Sequence, residues 1–164
     1  MKWARAASAG CGLWVGRDVT RAENTVREFW RLMASNDFAS VKRVLADGFV
    51  LEWPQSAERI RGAENFARMN AEYPAHGPWR FELRRLVAGG AGAAQANGQI
   101  QQVVTHVGIT DGTQRAEAIS FFEVDAARGL IVRIVEFWPE PYAAPSHRAH
   151  LTEPIAQTPK EDPA

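Results

Sequence analysis

Glu136 interrupts a face that is otherwise apolar. In the segment from Leu130 to Trp138, an extended chain puts Val132, Ile134 and Trp138 on the same side as Glu136. A carboxylate among such neighbours is costly to ionise, so its pKa is expected to rise and make it usable as a general acid or base. The alternative is a structural glutamate bonded to a helix amide or an arginine. Glu52 stands beside Trp53 and Pro54. Strict alternation sends it opposite Phe49, Leu51 and Trp53, toward solvent or a partner, unless a bend at Pro54 reverses its aim. His106 depends on the turn that follows it. A two-residue turn at Asp111-Gly112 pairs it with Glu117, away from Ser120. A three-residue turn with a bulge slips the register by one and brings it inward with Gln102 and Val104. The first arrangement is expected, and it leaves His106 on the surface.

Other chemistries find little support. Cys11 is the only cysteine, which excludes an intramolecular disulfide and a thiolate metal cluster. His147 and His150 sit in a proline-rich stretch with no acid or cysteine in helical register, so no metal site is expected there. The 19 basic and 19 acidic residues cancel, leaving no electrostatic footprint for nucleic acid or an anionic membrane. The clusters Arg59/Arg61 and Arg80/Arg84/Arg85 read as solvated faces. No apolar run approaches the ~20 residues needed to cross a bilayer. Ser8-Ala9-Gly10-Cys11 resembles the end of a bacterial lipoprotein cleavage site. Arg5, however, interrupts the apolar core of roughly 7–15 residues that a signal peptide needs. A reducing, cytoplasmic location is the expectation.

The elements that position these residues follow from periodicity. Thr20-Arg21-Ala22-Glu23 reads as a capping box, followed at helical spacing by Val26, Phe29, Trp30 and Met33. Asn36 and Asp37 stop this helix and start a second that carries Phe38, Val41 and Leu45. Asp47-Gly48 reads as a turn, and Phe49, Leu51 and Trp53 as a strand ended by Pro54. A third helix begins near Gly62, carries Phe66, Met69 and Tyr73, and breaks at Pro74. After Pro78 the period changes to two. Strands are expected from Trp79 to Val87, Gln99 to Ile109, Gln114 to Val124 and Leu130 to Trp138, with a Gly/Ala-rich connection from Ala88 to Ala94. Helices followed by an antiparallel meander give an α+β domain. Residues 1–18 are expected to be a disordered or spurious extension, with Val19 a candidate start, 19–148 the domain, and 149–164 a flexible tail. Ile119, Phe121, Ile131, Val135 and Phe137 share one sheet face while the other is also apolar, so both faces want cover. Helices cover one, and the other is a candidate homodimer interface.

This order of elements resembles the nuclear transport factor 2-like superfamily and its SnoaL-like, polyketide cyclase-like branch. The likeness lies in FWRLMASNDFASVKRVLADGFVLEWP (Phe29 to Pro54), RGAENFARMNAEY (Arg61 to Tyr73) and ISFFEVDAARGLIVRIVEFWPEPY (Ile119 to Tyr142). It implies a cone of three N-terminal helices packed on a curved antiparallel sheet around a small-molecule pocket. Glu136 would face that pocket, Trp53, Phe122 and Trp138 would shape it, and Gln55 and Ser56 would sit at its mouth. The ketosteroid isomerase pattern is replaced throughout: Trp53 stands in the base position, Phe29 in the tyrosine position and Ser120 in the aspartic position. Of the limonene epoxide hydrolase arrangement only the last-strand acid survives, at Glu136, because the other two positions fall within Gln101 to Val104. Of the scytalone dehydratase pattern only His106 is a candidate. The resemblance implies a cofactor-independent isomerase, cyclase or hydrolase acting by proton transfer on a small apolar or aromatic substrate. A non-catalytic ligand-binding or dimerisation module of the same fold is the alternative.

Overall fold

The computed structural model describes residues 11–89 and 100–155, with side chains from Arg21 onward. The first ten residues of the extension expected over 1–18, much of the Gly/Ala-rich connection and the end of the tail lie outside the described residues, while residues 11–18 of that extension are helical.

Helix α1 spans Cys11–Ala34, so Thr20 lies inside the helix and is not its cap. Ala22, Val26, Phe29, Trp30 and Met33 form its buried stripe at the spacing of a single helical face. The helix stops at Asn36, whose φ of 59° is left-handed and tolerated by a short amide side chain. That side chain also clamps the backbone of Trp79, donating to its carbonyl and accepting from its N–H, each at 2.8 Å.

The expected second helix is a 3-10 helix, Phe38–Val44. Its buried residues Phe38, Val41 and Val44 recur every three positions, which suits three residues per turn. Two α-helices and this segment therefore stand where three helices were expected. Strand β1 covers Leu45–Trp53 and absorbs Asp47-Gly48 as an irregularity in its ladder rather than a turn. Strand β2, Glu58–Arg61, was not foreseen; ERIR is too short and too charged to show a strand pattern. Helix α2, Ala63–Glu72, buries Phe66 and Ala67.

Strands β3 (Arg80–Gly89), β4 (Ile100–Thr110), β5 (Arg115–Asp125) and β6 (Leu130–Phe137) form the expected meander. The sheet has six strands in the order β2-β1-β6-β5-β4-β3. β1 runs parallel to β6 and the other pairs are antiparallel, so the sheet is mixed rather than wholly antiparallel. Its inner face carries Val103, Val107, Ala118, Phe122, Ile131 and Ile134 into one core with α1 and α2. Ile131 was expected outside. Between Glu123 and Val124 the β5–β6 register shifts, leaving Val132 without a partner and turning Ile131 inward. A 3-10 helix, Ser146–Leu151, crosses the expected domain boundary after residue 148 and buries none of its residues.

Candidate functional site

One transverse row of side chains crosses the inner face of the sheet. Glu58 on β2 pairs with Trp53 on β1. On β6, Glu136 lies beside Trp53 and pairs with Ser120 on β5. Ser120 in turn pairs with Thr105 on β4. In front of the row, toward the strand ends that carry Trp53 and Trp138, opens a cavity of about 510 Å³. Phe29 and Trp30 of α1, Phe66 and Met69 of α2, Phe81 and Ile109 of the sheet line it, with Tyr73 and Trp79 from the connection between α2 and β3. This is the volume and composition of a small-molecule site.

Glu136 is buried and holds a three-donor cradle. Trp53 Nε1 and Trp138 Nε1 both donate to its Oε2 at 3.0 Å, and Ser120 Oγ donates to its Oε1 at 2.8 Å. Burial pushes its pKa above the ordinary value, while the bonds from Trp53, Ser120 and Trp138 pull it back. Every one of these donors is neutral. A carboxylate has about four acceptor positions, and these donors take three of them. The arrangement fixes a buried carboxylate at three points in the cavity wall.

The other expected site residues divide. Trp53, Gln55, Glu136 and Trp138 line the cavity, as does Ser56. Gln55 Nε2 donates to the Trp138 carbonyl at 3.2 Å and joins the β1–β2 turn to the end of β6. Ser120 is fully buried behind Glu136 and acts on the cavity only through it. Phe122 does not line the cavity. It packs edge-on against Phe29 and Trp30, with centroids 5.3 and 6.1 Å away, and is core. Glu52 faces the outer side of the sheet, where Arg59 and Arg133 bind it, so it is not a ligand residue. Those two arginines hold its pKa below the ordinary value, Arg133 most strongly.

His106 is likewise outside, with its Nε2 2.6 Å from Glu117 Oε2. The turn expected to decide this is different from either form considered. Thr110 pairs with Arg115, leaving Asp111 to Gln114 as a four-residue loop, and His106 pairs with Ile119. Asp111 accepts from Thr113 N and Gln114 N, and this side-chain turn displaces the two-residue hairpin. The register moves by two, so the face is unchanged.

Two features escaped the sequence reading. Glu58 reaches the cavity through pairing with Trp53, which no local pattern reveals. Trp30 Nε1 is buried in the wall with no hydrogen-bond partner among the described residues. Among those residues, no three His, Cys, Asp or Glu side chains converge as a metal site, and no helix is long and apolar enough to cross a membrane.

The sequence profile of the SnoaL-like domain matches residues 26–134. The chain belongs to the SnoaL-like family. Among solved structures it is similar to a candidate ketosteroid isomerase from Kribbella flavida DSM 17836, at 30% identity and a TM-score of 0.69, covering 85% of this chain and 93% of that one. It also resembles a nuclear transport factor 2-like protein of unknown function from Burkholderia xenovorans LB400, at 23% identity, TM-score 0.60, and coverage of 84% and 97%. An epoxide hydrolase of the limonene type from M. tuberculosis shares the fold at 22% identity and TM-score 0.53, with 73% and 84% covered. No functionally curated protein matches the sequence.

Proposed function

We propose that this SnoaL-like protein catalyses cofactor-independent proton transfer on a small apolar or aromatic substrate, with Glu136 as general acid or base. The observation that carries the reading is a buried carboxylate in the wall of an apolar cavity, held by three neutral donors and, among the described residues, paired with no cation. Its raised pKa brings it nearer the operating range of an acid–base catalyst. Trp53 and Trp138 orient it, and Gln55 and Ser56 edge the mouth. The working unit is a homodimer joined through the outer sheet face.

A second reading rests on the same bonds. Both indole N–H groups converge on Oε2, so Glu136 can serve as a pin that shapes a non-catalytic binding pocket. Glu136→Gln separates the two. The amide oxygen can accept both indoles and the amide N–H can donate to Ser120, while the proton-transfer group is gone. A catalytic Glu136 predicts a variant at least as stable as the parent that binds apolar ligands and loses turnover by ~10² or more. Thermal melts with and without a panel of small aromatic and terpenoid ligands test this before a substrate is known. A variant that melts well below the parent would sink the catalytic assignment and leave the pin.

A further inference from the structure

Among the described residues, the charges that line the cavity are two carboxylates and one guanidinium. Three charged residues line it: Glu58, Arg115 and Glu136. Arg115 pairs with Thr110 at the end of β5 and borders the cavity from that strand end, whereas Glu58 and Glu136 sit in the row beside Trp53. Glu58 shares the inner face with Trp53, and Glu136 flanks that tryptophan on the other side. Two carboxylates therefore bracket one indole ring. Around them stand the aromatic faces of Trp79, Trp138, Tyr73 and Phe81.

From this arrangement we infer that the cavity takes an organic cation, a protonated amine carried on an apolar or aromatic body. An ammonium group is attracted to aromatic faces, tryptophan above all, and most strongly where water is excluded. Glu58, exposed at the mouth, is placed to receive the cation first. Glu136, which lines the cavity, offers a carboxylate acceptor to an N–H donor within. Burial without a neighbouring cation holds Glu136 above its ordinary pKa, and an ammonium supplies the positive charge its cradle of neutral donors does not. An anionic ligand would meet two carboxylates against the single guanidinium of Arg115. The inference rests on the reading of the cavity as a substrate site and adds the class of substrate to it.

Three probes of one shape test it: 1-naphthylmethylamine, 1-naphthylmethanol and 1-naphthoic acid, titrated calorimetrically into the full chain near neutral pH. The amine should bind about tenfold or more tighter than the alcohol, with the acid weakest. Glu58→Gln, an exposed substitution that leaves the fold untouched, should weaken the amine several-fold more than the alcohol. An alcohol that binds as well as the amine overturns the inference and leaves the proton-transfer site standing. So does an equal effect of Glu58→Gln on both probes. Failure of all three to bind removes the cavity as a site, and the inference with it.

Discussion

Glu136 and Ser120 show how much one side chain depends on the next. The bond from Ser120 is among the forces that lower the pKa of Glu136, and burial is the larger force that raises it. Ser120→Ala should therefore drive that pKa higher still. A carboxyl whose folded pKa lies above its unfolded value of 4.5 contributes stability that is full below that value and lost as pH rises through the folded one. The variant widens that window. The loss of stability should be larger at neutral pH than near pH 4, because the missing bond favours the ionised carboxyl and protonation removes that preference. Denaturant melts of both proteins at the two pH values check this; an equal loss at both would show that Ser120 stabilises through packing alone. Glu136 was legible from the sequence because alternation placed it among Ile134 and Trp138. Its donors were not, since two of the three come from other strands.

At the scale of elements, the loop between β4 and β5 does more than reverse the chain. Asp111 accepts from His76 N, from Thr113 N and Gln114 N, and from Gln114 Nε2. These bonds, that of His76 foremost, hold its pKa well below the ordinary 3.8. The sign is opposite to that of Glu136. A depressed folded pKa contributes stability that is present above the unfolded value and lost as pH falls toward the folded one. Asp111→Asn sets an amide N–H₂ against the donors on one side. Its melting temperature should fall at neutral pH, and the gap from the parent should close as pH drops below 3.8. A gap that is constant with pH would refute the assignment. Because the bond to His76 anchors the connection that carries Tyr73 and Trp79 to the cavity, the same variant should also weaken ligand binding. Sequence showed the Asp-Gly turn signal but misjudged the loop, because the competing acceptor is the Asp111 side chain, which binds its own loop and a partner 35 residues away.

For the whole molecule, the outer sheet face is the open question of assembly. Ile119 and Phe121 are 37% and 41% exposed, and Phe121 stacks edge-on with Phe137 at 6.1 Å. Ion-pair networks flank this apolar centre: Glu52, Arg59, Arg133 and Glu123 on one side, and His106, Glu117 and Arg84 on the other. Monomers seldom leave a large contiguous apolar patch in water. Sedimentation at micromolar concentration should give a dimer, and Phe121→Glu should shift it to monomer without lowering the melt of the isolated domain. A parent that sediments as a monomer would overturn the proposal.

What the sequence determined by itself is whatever repeats locally. The stripe of α1 from Val26 to Met33, the four strands of the meander and the apolar setting of Glu136 all follow from spacings of 3.6 or 2 read within one segment. The tertiary structure decided everything that depends on a partner segment. The parallel contact of β1 with β6 joins residues about eighty positions apart. The pairing of Glu58 with Trp53 makes an unremarked charged stretch into one edge of the cavity. The irregularity at Val132 turns Ile131 inward against its own alternation, because one unpaired residue reverses the phase of a strand. Phe122 has the same burial signature whether it lines a pocket or fills a core. Only the approach of Phe29 and Trp30 to within ring contact made it core, since period encodes the face of a side chain but not what stands opposite.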